Sequence, residues 1–249
     1  MKKRVFWIFI GAVIFTCAYY LSDLICDAVS AYGNEERIIP IYSVDTEEKC
    51  IALTFDAAWG NEDTQILLDI LNENDVPATF FVTGQWADKF PEDVKKFYDA
   101  GHDIANHSDS HPHINDMSYE ELKKDTFACN EKIKDITGEY PLLYRGPYGE
   151  YNNMLIEMLH EANMYYIQWD VDSLDWKNPD PEDLVKNVTQ KVQSGSIVLL
   201  HNGAKNTPAA LDEIIKTLKN DGFKFVLVKD MIYKTDYKTD HTGRQFISV

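Results

Sequence analysis

Between residues 50 and about 232, short apolar runs alternate with longer amphipathic stretches. The runs Cys50–Phe55, Thr79–Val82, Asp103–Asn106, Leu142–Tyr144, Met164–Trp169, Ile197–Leu200 and Phe225–Val228 read as buried strands. The stretches near Thr64–Asn74, Glu92–Ala100, Ser118–Thr137, Asn153–Ala162, Pro181–Val192 and Pro208–Asn220 read as helices. Ala100-Gly101, Thr137-Gly138, Ser194-Gly195 and Asp221-Gly222 stand where those helices should end. Strands alternating with helices of this length predict a parallel α/β sheet. About seven such units predict a distorted or incomplete (β/α) barrel, with an open doubly wound sheet as the alternative.

The ends of the chain read differently. Lys2, Lys3 and Arg4 precede an uncharged run from Val5 to Ser22. Eighteen helical residues span about 27 Å, close to a hydrocarbon core of about 30 Å. A basic flank stays on the cytoplasmic side, so this pattern predicts a membrane anchor with the rest of the chain outside. A cleavable signal peptide is the alternative, because Val29-Ser30-Ala31 suits a small-residue cleavage site. Residues 1–31 are thus set apart as anchor or signal, and 32–48 as linker and lead-in strand. Residues 49–232 form the main domain. Residues 233–249 are expected to be a polar tail, because Lys-Thr-Asp recurs in a charged stretch.

Composition narrows the function by exclusion. The formal charge is −17 with no long basic run, which excludes nucleic acid as a partner. The four cysteines, Cys17, Cys26, Cys50 and Cys129, make no Cys-x-x-Cys, so zinc-ribbon and thioredoxin-type readings fail. Cys50 and Cys129 are expected to be small core residues.

Five short motifs occur at or just beyond predicted strand ends: Thr54-Phe55-Asp56, His107-Ser108-Asp109-Ser110-His111, Arg145-Gly146-Pro147-Tyr148-Gly149, Asp172-Ser173-Leu174-Asp175-Trp176 and Leu199-Leu200-His201. In barrel enzymes the C-terminal strand ends carry the active site. His107 and His111 are four apart, a spacing that lets two imidazoles converge on one metal ion; two exposed loop histidines are the plain alternative. There is no His-Glu-x-x-His, so a zincin is excluded. Asp56 closes an apolar strand and would sit at the barrel mouth, although a turn or cap role is also common for Asp. Arg145 precedes Gly-Pro-Tyr-Gly at a strand end, unlike a free surface Arg. His201 closes the buried run Ile197–Leu200, as a satisfied core histidine or as a general acid.

The order and wording of these motifs resemble the polysaccharide deacetylases of carbohydrate esterase family 4, the NodB-homology fold. The stretch Phe55-Asp56-Ala57-Ala58-Trp59-Gly60-Asn61 resembles the sporulation-associated, PdaB-type branch. The resemblance spans about residues 38–232. It implies removal of acetyl groups from an N-acetylated glycan such as peptidoglycan or chitin-like oligomers, at the envelope of a Gram-positive spore former. It implies Asp56 as general base with Arg145 lowering its pKa, His201 as general acid with Asp175 as partner, and His107 and His111 as ligands of a divalent metal, zinc first. It implies the Tyr148 amide as an oxyanion donor, and Trp176 and Leu199 as walls for the acetyl methyl. The family pattern departs at one place. Thr-Phe-Asp-Asp is usual, and this chain has Ala57 where the second Asp would ligate the metal. That weakens the metal site and raises a second expectation, a family member that binds glycan without turnover. Glu62 and Asp63, just downstream, are candidate substitute ligands.

Overall fold

The computed structural model describes residues 36–248. The described residues from Ile38 onward cluster as one compact unit. The apolar run Val5–Ser22 lies outside the described residues. Among the described residues no helix is long and apolar enough to cross a membrane.

The strands are β1 (Ser43–Val44), β2 (Cys50–Ala57), β3 (Ala78–Val82), β4 (Asp103–Asn106), β5 (Leu143–Tyr144), β6 (Tyr165–Tyr166), β7 (Val171–Asp172), β8 (Ile197–His201), β9 (Lys224–Phe225), β10 (Tyr237–Thr239) and β11 (Arg244–Ile247). The helices are α1 (Thr64–Glu73), α2 (Gly84–Lys89), α3 (Pro91–Asp99), α4 (Tyr119–Thr137), α5 (Asn153–Glu161), α6 (Pro181–Thr189), α7 (Thr207–Asn220) and α8 (Val228–Met231). The main sheet is parallel in the order β6-β5-β4-β3-β2-β8-β7, and β9 pairs with the start of β2.

The sheet has to curl. β6 and β7 lie at its two edges, yet Tyr166 and Val171 are only five Cα steps apart in sequence. Five steps reach at most about 19 Å, whereas six flat strand spacings cover about 29 Å. The lead-in segment spans the remaining gap, with Ile41 bridging Ile167 and Ser43 bridging Ser196. This is the incomplete barrel expected from the alternation of strands and helices. One strand differs: the run Met164–Trp169 does not form a single strand. Tyr165–Tyr166 pair as β6 on one edge, and the chain pairs again just past the run, as β7 at Val171–Asp172, on the other edge, with no helix between.

Strand alternation sorts the core into two layers. Ile51, Leu53, Phe55 and Ala57 of β2 join Leu67, Leu71, Phe97, Ile214 and Leu218 in the helix-facing layer. Ala52 joins Phe81, Ala105, Leu143, Ile167 and Ile197 in the barrel interior. Cys50 and Cys129 are buried free thiols, as expected. Helix ends follow the sequence signals: Ser118 and Glu121 make a capping box on α4, and Gly138 closes it at φ 86.

The segment 233–249 is not a solvated tail. β10 and β11 pair antiparallel, and β11 pairs with β1 in a second, three-stranded sheet. Gln245 is fully buried, donating from Nε2 to the Tyr233 carbonyl and accepting from the Tyr233 N–H. The polar composition is that of a half-exposed edge sheet whose partner strand lies about 200 residues earlier.

Candidate active site

The strand ends deliver the motif residues to one cleft of about 500 Å³. Asp56, Trp59, His107, His111, Tyr148, Gly149, Trp169, Asp172, Trp176, Leu199 and His201 line it. Seven predicted site residues therefore meet here from five strand ends, and Arg145 lies directly beneath them, fully buried.

Arg145 organises the floor. Its Nη1 donates to Asp56 Oδ1 at 2.7 Å and to Thr54 Oγ1 at 2.8 Å, and its Nη2 donates to the Gln168 carbonyl at 3.1 Å. The guanidinium lies 4.0 Å from the centroid of the Phe81 ring. Burial alone would push the Asp56 carboxyl up. The charges of Arg145, His107 and His201 outweigh that and hold it below the usual range. Burial also pushes the His107 pKa down, and the guanidinium is the principal counter-charge. Gly146 is required beside it, since a Cβ there would run into Tyr166 Oη and the Glu150 carbonyl.

The histidine loop is held from below. His107 Nδ1 lies 2.8 Å from the Arg145 carbonyl, which only accepts, so Nδ1 carries the proton and Nε2 keeps a lone pair. Asn106 donates to the Thr126 carbonyl and to Asn130 Oδ1, and its own Oδ1 accepts from the Ser108 N–H. Asp125 accepts from the N–H groups of Asp109 and Ser110 and from Ser110 Oγ. Ser108 and His111 take left-handed backbone angles, φ 68 and φ 58. The two imidazole centroids end 5.1 Å apart. Burial, with His107 nearby, lowers His111 to about 4.

His201 faces them across the cleft. Its Nδ1 is 2.6 Å from Asp175 Oδ1, while Asp175 Oδ2 accepts from the His201 N–H and Thr207 Oγ1 at 2.7 Å each. Burial pulls the His201 pKa down. The hydrogen bond and charge of Asp175, with Asp56 and Asp172 adding, raise it above its ordinary value. The expected partnership of His201 with Asp175 is therefore present as a contact, on a fully buried Asp175.

The rim is aromatic. Trp59, Tyr148 and Trp176 are exposed large side chains. Tyr148 has φ 58 and ψ 9, a strained conformation for a non-glycine residue and one that recurs at functional sites. Its ring stacks on His113 at 4.4 Å, and His113 Nδ1 is 2.8 Å from Glu150 Oε1. Trp59 was not among the expected site residues, yet its ring lies 5.9 Å from those of both His111 and His201. A Trp three residues past the strand-end motif, in Ala57-Ala58-Trp59-Gly60, was the available signal. Asp172 bonds the Leu174 N–H through Oδ1 and also lines the cleft.

The residues do not fit the metal as the resemblance implied it. Two imidazoles are in place, but alternation puts Ala57 in the helix-facing layer, fully buried. Neither Glu62 nor Asp63 lines the cleft. Asp63 is buried and accepts the Gly203 N–H at 2.7 Å. Among the described residues no group of three His, Cys, Asp or Glu can hold a metal ion. Catalytic zinc takes three protein ligands, so this corner is one short.

Comparison with known proteins agrees with this architecture. Residues 43–167 match the family model described as polysaccharide deacetylase. A peptidoglycan-N-acetylglucosamine deacetylase of Bacillus cereus is 35% identical over 185 residues, covering 73% of this chain and 67% of the relative. The peptidoglycan-N-acetylmuramic acid deacetylase PdaA of Bacillus subtilis is 30% identical over 207 residues, covering 82% and 79%. The crystal structure of a carbohydrate esterase family 4 pseudoenzyme from Bacillus anthracis superposes with TM-score 0.75 at 33% identity, covering 78% of this chain and 69% of that one. With the barrel, the five motifs and these likenesses in agreement, the chain belongs to the polysaccharide deacetylase family.

Proposed function

We propose that this protein is a glycan N-deacetylase acting on N-acetylated peptidoglycan. The observation that carries the reading is the pair of buried couples facing each other across one cleft, Asp56 with Arg145 and His201 with Asp175. A module that only binds sugar needs no ionised base opposite a charged acid.

The chain's own groups divide the work as follows. The aromatic rim and Leu199 seat the sugar and its acetyl methyl. Asp56 Oδ2, left over from the Arg145 bond, takes a proton from a water attacking the acetamide carbon. The Tyr148 amide, at the strained lip, is the candidate donor to the resulting oxyanion. His201 gives its proton to the sugar nitrogen, and acetate departs. Family members are generally metal-dependent. The two imidazoles lack their third ligand here, so no step is assigned to a metal.

A second reading is supported by Ala57 and by the likeness to a pseudoenzyme: the cleft binds glycan without turnover. Acetate release from peptidoglycan fragments separates the two. The catalytic reading expects release that falls at least about 100-fold in Asp56→Asn, the scale of a lost general base. Saturable glycan binding with no acetate release, with or without added zinc, establishes the second reading instead.

The remaining expectations extend the proposal. A role in cell-wall or spore-envelope modification follows from the sporulation-type sequence around Ala57, and an extracytoplasmic location, anchored or secreted, from the residues before Tyr32. Both are tested by locating the tagged full chain in sporulating cells.

A further inference from the structure

The loop Gly146–Glu150 carries Tyr148 at its middle, in the left-handed conformation at φ 58. A non-glycine residue keeps such a conformation only where its surroundings over-determine it. Two buried side chains that the proposed chemistry does not use supply that constraint. Tyr166 Oη accepts from the Gly146 N–H at 2.9 Å and donates to the Glu150 carbonyl at 2.5 Å. One hydroxyl thus joins the first and last residues of the loop. Gln168 Nε2 donates to the Gly149 carbonyl at 2.8 Å, directly after the strained residue. The loop is built around the Tyr166 hydroxyl, since a Cβ on Gly146 would occupy its place.

This clamp stands on a fixed base. Tyr166 and Gln168 are both buried. β6 pairs with β5 on one side. On the other, the Ile41 N–H donates to the Tyr166 carbonyl and the Ile41 carbonyl accepts from the Gln168 N–H. The two side chains are therefore set by the sheet and not by the loop they hold. Burial raises the Tyr166 pKa, so its hydroxyl keeps the proton it donates. A donor aimed at a developing charge requires such support, because a misplacement of about 1 Å can cost about 100-fold in rate.

We infer that Tyr166 and Gln168 are positioning residues for deacetylation, holding the loop so that the Tyr148 amide meets the oxyanion. Neither lines the cleft, so both act through Tyr148. The inference deepens the catalytic reading of the cleft and rests on it.

The test is steady-state acetate release by the full chain from soluble peptidoglycan fragments. Tyr166→Phe keeps the ring and removes both bonds of the hydroxyl. Gln168→Met keeps the length and removes the bond to Gly149, together with an Oε1 that has no partner, so it carries the test if Tyr166→Phe does not fold. Tyr165→Phe is the control. It removes a hydroxyl that donates to the Lys234 carbonyl, from the opposite face of the same strand. A donor that acts only in the transition state changes kcat and leaves KM in place. Tyr166→Phe should lower kcat at least ~10-fold with KM within about 2-fold, and Gln168→Met should lower it less. Tyr165→Phe should match wild type. The Tyr148 amide resonance should shift in the first two variants and stay in the third. Wild-type kcat in both Tyr166→Phe and Gln168→Met, a loss confined to KM, an unmoved Tyr148 amide, or an equal loss in Tyr165→Phe overturns the inference and leaves the catalytic reading standing. No release from wild type overturns both.

Discussion

Arg145 Nη1 donates to Asp56 Oδ1 at 2.7 Å, and Oδ2, which Arg145 does not use, is the oxygen we propose as the base. Both groups are buried, with Arg145 at 0% and Asp56 at 5% exposure. Breaking such a pair strands a charge, at a cost of about 3–5 kcal/mol. Arg145→Met should therefore lower the urea midpoint of unfolding strongly. Asp56→Asn/Arg145→Met, which removes both charges, should recover much of that loss. Equal midpoints for Arg145→Met and wild type would mean that the couple does not hold the barrel floor.

Asp175 raises His201 by hydrogen bond and charge, against burial. Asp175→Asn removes the charge and keeps the shape. The imidazole should then titrate lower, and the alkaline limb of any activity should move down with it. NMR titration of the His201 ring reads this directly, whether or not the chain turns over. An unmoved pKa would contradict the pairing.

His102 supplies a pH dependence of stability far from the cleft. Its Nδ1 accepts the Ala78 N–H at 3.2 Å, Nε2 has no partner, and burial lowers its pKa to about 4. A depressed histidine binds its proton more readily in the unfolded chain. Its contribution is therefore present above about pH 6.5 and is lost as pH falls towards 4. One such group amounts to about 3 kcal/mol over that range. His102→Asn can keep the acceptor without the titration, so its stability should fall less steeply with acid than wild type does. Parallel profiles would assign the acid sensitivity elsewhere.

Zinc should bind weakly. With two imidazoles and no third protein ligand, affinity is expected to be weaker than about 10 µM, and His107→Ala/His111→Ala should remove what there is. Tight, saturable zinc binding in wild type that is absent from the double variant would show that another group completes the site.

Much of this was legible in the sequence because strand ends and periodicity are local signals. β4 matches its expected bounds, β2 and β8 were placed with their catalytic ends, and His107, His111, Arg145 and His201 converge as the motifs required. What was not legible depends on distant partners. The run Met164–Trp169 reads as one strand, yet only Tyr165–Tyr166 pair on one sheet edge, and the chain pairs again at Val171–Asp172 on the opposite edge because the barrel closes there. The Lys-Thr-Asp stretch becomes β10 only because β11 pairs with β1, far away in sequence. Ala57 was legible as a departure from pattern. Its consequence needed the strand's alternation, which turns position 57 towards the helices. Asn106 and Asp125, which hold the histidine loop, look like ordinary loop and helix polar residues until the fold brings them together.

The pH dependence of acetate release, measured for wild type and Asp56→Asn, tests base and acid together. Asp56 is held ionised from below the usual carboxylate range, and His201 stays protonated to above its ordinary value. The account predicts a rate that is sustained from mildly acid pH through neutrality and falls as pH rises through the His201 titration, with Asp56→Asn inactive throughout. No turnover at any pH, or a rate that climbs steadily into alkali and is the same in Asp56→Asn, would contradict it.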